Sequence, residues 1–198
     1  MSQNTAPRSF VPVRIAVLTV SDSRTLDEDT SGQTLADRIS AAGHDLSGRK
    51  LVRDDIKAIR KIMRDWLDRD DIDAVISTGG TGLTGRDVTV EAMRGLFDKE
   101  IDGFSALFHA ISFQKIGTST VQSRATAGVA NGKYVFVLPG SPGACRDAWD
   151  EILVKQLDYR HLPCNFVEIM PRLSEHRNAT PVELGQTTVG KQQWANNS

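Results

Sequence analysis

"DAVIST" (73–78) runs directly into "TGGTGLTGRDVT" (78–89), an apolar segment that opens onto a polar run rich in glycine and threonine. The continuous apolar character of Ala74, Val75 and Ile76 suits a parallel strand covered on both faces. In an open parallel sheet, ligands bind beyond the carboxyl ends of the strands. The loop is expected to emerge there. Gly79, Gly80 and Gly82 remove side-chain bulk and permit unusual backbone angles. Several amides could then converge on an anion, with Thr78, Thr81 and Thr84 adding hydroxyl donors. The run is no P-loop, because the closing Gly-Lys-Ser/Thr is missing, nor does it carry the dinucleotide-binding glycine spacing. A plain structural turn stands beside the phosphate or carboxylate reading.

Working outward, "VRIAVLTV" (13–20) and "YVFVLPG" (134–140) read as further buried strands, and "HDLSGRKLV" (44–52) as a weaker one. Apolar residues recur at helical spacing over 31–43 and 55–69, and again from near Val88. Residues 101–113 read as more helix after a break around Gly103, and 142–159 as a closing helix. Residues 114–133 mix strand, turn and helix signals. Repeated strand–helix order predicts an α/β fold, a three-layer sandwich around a mainly parallel sheet. One domain is expected over 13–173, with an N-terminal arm over 1–12 and a C-terminal tail over 174–198, either mobile or docked on another subunit.

Composition narrows the partners. The 198 residues include 39% hydrophobic side chains, enough for one sizeable core. A net charge of -1, from 24 basic and 25 acidic residues, gives no long-range pull toward nucleic acid or an anionic membrane. No stretch approaches the roughly 20 apolar residues that span a bilayer, and the first residues lack a signal-peptide core. With two cysteines outside metal-ligand spacing, a reduced cytoplasmic setting is expected. The histidines at 44, 109, 161 and 176 show no zinc spacing.

Other polar clusters fall at strand ends. "TVSDSR" (19–24) follows the first strand, so Ser21, Asp22, Ser23 and Arg24 could share the crevice. In "TSG" (30–32), Thr30 or Ser31 reads as a helix cap. Arg86 suits an anion. Asp87 suits either a cap on the helix from Val88 or a carboxylate holding a divalent ion. In "RDD" (53–55) one aspartate is expected to cap the helix from Ile56 while the other faces the crevice. Asp54 and Asp87 together could anchor magnesium against substrate phosphates. "LPGSPGA" (138–144) is a stiff turn, where Gly140 and Ser141 could complete the ligand rim. Cys145 reads as packed.

Taken together, "AVLTVSDSR" (16–24), "DTSGQTLADRI" (29–39), "STGGTGLTGRDVT" (77–89) and "FVLPGSPGA" (136–144) resemble the molybdenum cofactor biosynthesis family that contains MogA and MoaB. The turn "GLTGRDVT" is more similar to the B-type members than to the A-type. The resemblance implies a molybdopterin-binding, MogA-like fold, assembled as a homotrimer or homohexamer. It implies molybdopterin as ligand, received by the loop around Gly79, Gly80 and Gly82. In the adenylyltransferase branch, Mg2+ and ATP join it: the molybdopterin phosphate attacks the α-phosphorus and pyrophosphate leaves. Asp54 and Asp87 match acids associated with that activity, in metal binding or orientation. Three roles are therefore expected: molybdopterin binding in cofactor biosynthesis, Mg-ATP-dependent molybdopterin adenylyltransferase, or a non-catalytic small-molecule-binding scaffold.

Overall fold

The structure, a computed structural model, describes residues 7–175. Half of the expected arm and nearly all of the expected tail thus lie outside the described residues. Six strands form one sheet in the order β2-β1-β3-β6-β5-β4. They are β1 (Arg14–Val20), β2 (Asp45–Val52), β3 (Ala74–Thr78), β4 (Lys99–Glu100), β5 (Thr126–Ala130) and β6 (Lys133–Leu138). The first four in spatial order are parallel, while β5 runs antiparallel to both β6 and β4. The expected three-layer α/β sandwich is what the chain forms.

The two faces of the sheet explain why the central strands lack polar alternation. Ile15, Val17, Ile76 and Phe136 face one core, covered by α1 (Thr30–Ala41), α4 (Asp102–Ile116) and α5 (Pro142–Ala148). Leu18, Val75 and Val137 face the other, covered by α2 (Ile56–Leu67) and α3 (Thr89–Arg94). Trp66 and Trp149 each fill one of these helix–sheet interfaces. Strand β2 is the sheet edge and half-exposed along its length, which is why its apolar pattern is weak.

Two expectations need correction. The break before the second helical region falls ahead of Gly103: β4 separates α3 from α4, which starts at Asp102 and buries Phe104 and Phe108 of its first turns in the core. The closing helix is not uniform. It widens into a π segment at Trp149–Leu153 before α6 (Val154–Gln156), then ends. The mixed stretch 114–133 holds a 3-10 turn, Gly117–Gln122, and the antiparallel strand β5. A short helix α7 (Phe166–Ile169) follows, and its Glu168 forms a bidentate pair with Arg8 at 3.1 Å.

Register sets up the site. Thr19 pairs with Thr78, and Thr78 with Leu138, so β1, β3 and β6 end level with one another. Val20 pairs with Val52 at the end of β2. The loops that follow these four strands therefore leave the sheet side by side.

Candidate functional site

Those loops enclose a cavity of about 360 Å³. The turn after β1 supplies Ser21, Asp22, Ser23 and Arg24, and Asp54 enters from the turn after β2. Thr78, Gly79, Gly80, Arg86 and Asp87 come from the loop after β3, and Gly140 from the loop after β6. Most of the residues expected at the site from sequence are thus gathered around one cavity. Gly79 and Gly80 make the closure possible. Their φ angles are +95° and +63°, and a Cβ on Gly79 would stand 2.1 Å from the Val20 carbonyl oxygen.

Asp54 is the electrostatic centre. One carboxylate oxygen, Oδ1, is buried and has no hydrogen-bond partner, and the same holds for the hydroxyl of Thr89. Both crowd Gly80: a Cβ there would lie 2.1 Å from Asp54 Oδ1 and 2.3 Å from Thr89 Oγ1. Burial, then the charges of Asp22 and Asp87, push the Asp54 carboxyl above the usual carboxylate range. The amide of Asp54 donates to Asp22 Oδ1 at 3.2 Å, which ties the two turns together. Asp55, its neighbour, accepts from the Ala58 amide at 2.7 Å and caps α2. The choice between the two aspartates is settled: Asp55 caps, Asp54 faces the cavity.

Of the two roles expected for Asp87, the structure excludes the cap, since α3 has no side-chain cap. Asp87 Oδ2 accepts from the Thr84 hydroxyl at 2.6 Å and from the Thr84 amide at 3.0 Å, closing a small ring within the loop. Those bonds, with a contribution from the charge of Arg124, hold its carboxyl below the usual range. Asp87 is therefore ionised where Asp54 resists ionisation. Among the described residues no three carboxylate, imidazole or thiolate side chains converge closely enough to hold a metal ion by themselves.

Three expected residues lie off the cavity wall. Thr81 is buried, and its carbonyl accepts from Arg124 Nε at 3.0 Å. Gly82 packs against the Asp87 carboxylate, which a Cβ would approach within 2.8 Å. Ser141 caps α5 by accepting from the Ala144 amide at 3.1 Å. Thr78 reaches the wall, yet its hydroxyl donates inward to the Pro139 carbonyl at 2.9 Å, beside Cys145 Sγ at 3.2 Å. Burial pushes that thiol up to about 11, the state of a packed cysteine. The Gly79 amide is also engaged, with the Leu138 carbonyl at 3.1 Å.

One wall residue takes a place the sequence did not suggest. Ser31, buried at the start of α1, lines the cavity and donates to the Gly140 carbonyl at 3.1 Å. It is not the cap of α1. That role belongs to Asp29, which accepts from the Gly32 amide at 2.8 Å. Thr84 and Arg24 stand on the wall as well, and Arg24 Nη1 donates to Ser31 Oγ at 3.4 Å. A second cavity of about 440 Å³ opens beyond Asp29, between α1 and Arg49, and none of the expected site residues lines it.

The crevice lies at the carboxyl ends of parallel strands, where open α/β sheets bind small ligands, and is lined by glycine turns, hydroxyls, two guanidiniums and three carboxylates. Residues 16–159 match the family model described as a probable molybdopterin binding domain, and the chain belongs to that family. Molybdenum cofactor biosynthesis protein B of Escherichia coli strain K12 is 50% identical over 157 residues, 79% of this chain and 92% of that protein. A crystal structure of molybdenum cofactor biosynthesis protein B matches with a TM-score of 0.74 at 39% identity, over 87% of this chain and 99% of the other. The molybdopterin biosynthesis enzyme MoaB from Thermus thermophilus matches with a TM-score of 0.65 at 29% identity, over 84% and 98%. The family suggested by the four sequence motifs is the family found. Among the described residues, no helix is long and apolar enough to cross a membrane.

Proposed function

We propose that this chain binds molybdopterin in the 360 Å³ cavity and serves molybdenum cofactor biosynthesis. One observation carries the reading. All four family motifs, far apart in sequence, contribute to the wall of that single cavity: 16–24 through Ser21 to Arg24, 29–39 through Ser31, 77–89 through the glycine loop, and 136–144 through Gly140.

The chemistry fits the ligand at both ends. Arg24 and Arg86 offer guanidiniums to the phosphate, with Ser21, Ser23 and Thr84 hydroxyls beside them. The facing carboxylates need donors or positive charge, and the amino and ring N–H groups of a pterin supply donors. Magnesium would be held by Asp54 and Asp87, where the unpartnered Oδ1 of Asp54 fits a site completed by ligand oxygens and water. That ion would neutralise repulsion between phosphates, and it belongs with ATP to the adenylyltransferase alternative. The family and its named relatives do not favour that alternative, or the scaffold, over the binding role.

Assembly as a homotrimer or homohexamer is part of the same proposal. Helix α4 is apolar beyond its buried side, leaving Leu107, Phe113 and Ile116 about half exposed, and Val121 just after it is 76% exposed. Sedimentation equilibrium on the full chain decides the copy number, and a monomer at micromolar concentration counts against it. For the ligand, titration of the folded protein with molybdopterin is expected to give saturable binding that phosphate competes for. Absence of binding overturns the reading. Adding Mg-ATP and looking for adenylylated molybdopterin separates binding from turnover.

A further inference from the structure

The loop that brings Thr84, Arg86 and Asp87 to the cavity has no helix or strand of its own between Gly82 and Asp87, and Leu83 at its tip is 68% exposed. Such a segment would ordinarily sample many conformations. Its two ends, however, meet on one side chain. Arg124 Nε donates to the Thr81 carbonyl at 3.0 Å, and Nη2 donates to the Asp87 carbonyl at 3.0 Å. The rest of the fork pairs with Glu91 on α3: Nη1 with Oε1, and Nη2 with Oε2 at 3.3 Å. Thr81 and Asp87 thus close a ring through one planar guanidinium, a geometry that a lysine ammonium cannot reproduce.

Arg124 is itself held from behind. His109 Nε2 lies 3.0 Å from the Ser123 carbonyl, and Ser105 Oγ donates to the Ala125 carbonyl at 2.9 Å. Both residues flanking Arg124 are therefore tied to α4. The guanidinium is a fixed post, and it does not line the cavity.

We infer that Arg124 is a positioning residue: by gathering the Thr81 and Asp87 carbonyls it presets the loop that presents Thr84, Arg86 and Asp87 to the ligand. This deepens, and for its affinity readout rests on, the reading of the cavity as a molybdopterin site. A preset loop loses fewer conformations on binding, so the effect belongs to affinity and not to the overall fold.

The test compares wild type, Arg124→Ala, Arg124→Lys and Glu91→Gln by millisecond hydrogen exchange without ligand and by molybdopterin titration. Arg124→Ala is expected to speed exchange of amides 82–88 about tenfold and weaken molybdopterin binding about tenfold or more, with β1 and β3 amides unchanged. Arg124→Lys should fall between it and wild type. Glu91→Gln removes the ion pair and leaves both carbonyl bonds, so it should stay within about threefold of wild type. Wild-type exchange over 82–88 in Arg124→Ala overturns the inference, as does a Glu91→Gln effect equal to it. Should Arg124→Ala fail to fold, Arg124→Lys carries the same comparison: faster exchange confined to 82–88 supports the clamp, and wild-type exchange overturns it. Wild-type protein that does not bind molybdopterin defeats the function proposed above, while the exchange data still decide the clamp.

Discussion

Asp29 and Asp54 occupy matching places in the fold, each in the turn between a parallel strand and the helix that follows, yet their surroundings are opposite. Asp29 is 1% exposed and fully partnered. Its Oδ2 accepts from the Thr19 hydroxyl at 2.7 Å and from Arg49 Nη2 at 3.0 Å, while Oδ1 accepts from the Gly32 amide at 2.8 Å. Asp54 faces the cavity with one buried oxygen unpartnered and two further carboxylates nearby. Buried polar groups are normally satisfied, and an exception asks for a reason. At Asp29 the sheet end is spent on holding itself together. At Asp54 one buried oxygen is left without a partner in the fold, which is what the proposed ligand site would use.

The hardest blow to this contrast comes from removing the satisfied acid. Asp29→Ala would take the carboxylate from Arg49, which keeps only its bonds to Gln33 and the residue-29 carbonyl, and would leave the Gly32 amide without its cap. Breaking a buried pair from one side is expected to cost about 3 kcal/mol, lowering the thermal midpoint by roughly 10 °C. Urea unfolding measures it. A cost near zero would mean that Asp29 is no more structural than Asp54. Gly80→Ala attacks the other side of the comparison. Its Cβ would collide with Asp54 Oδ1 and Thr89 Oγ1 at a φ of +63°. Strain of about 2 kcal/mol is expected, together with loss of molybdopterin binding by titration. Retained affinity would show that the crowding around Asp54 has no bearing on the ligand.

How much of this contrast was legible in the sequence follows from what each feature depends on. Strands β1, β3 and β6 were readable because both faces of each are covered, so nearly every residue is apolar. The loops after them were readable because a parallel sheet sends them to one end. The edge position of β2, the two-residue β4 and the small-residue strand "TAGVA" (126–130) leave little local pattern, and β5 is defined only by its partners. Which of Asp54 and Asp55 caps α2 depends on where the helix begins, a matter of one residue. Asp29 as cap turns on the same question of where the helix begins, since Gly32 is three residues on. Its buried ties to Thr19 and Arg49 were hidden because they span 10 and 20 residues. Arg124 was hidden for the same reason, since it acts across 37 and 43 residues.

A third buried titratable group, at the opposite end of the sheet, shows what satisfaction in only one protonation state does. His44 is 5% exposed, and its Nδ1 accepts from the Val13 amide at 3.1 Å, which requires the neutral ring. Burial pushes its pKa below the usual histidine value, against the opposing pull of Asp158 and Asp45. The unfolded chain then takes up the proton first. Stability from this group is present in full above about pH 6.5 and is lost as pH falls toward the lower folded value, with a slope of at most about 1.4 kcal/mol per pH unit. Urea midpoints between pH 7.5 and 5 should drop in wild type and drop less in His44→Gln. Equal slopes would assign the acid sensitivity to other groups.

Asp54→Asn is expected to have the smallest effect on stability and, with Asp29→Ala, makes the sharpest pair. The folded protein raises the carboxyl of Asp54, so ionisation is disfavoured by folding. Below its unfolded pKa the group is neutral in both states and contributes nothing. As pH rises past that value a cost appears, and it is complete above the raised folded value. At neutral pH the asparagine removes this cost. The side chain is partly solvated, so screening limits the gain to about 0.5 kcal/mol, and the gain should vanish in acid. Molybdopterin affinity should move the other way, weakening about tenfold as a carboxylate facing the cavity is lost. A variant that is slightly more stable yet binds worse places Asp54 with the ligand. If Asp54→Asn unfolds as readily as Asp29→Ala, the two aspartates share one structural task and the unpartnered oxygen loses its meaning.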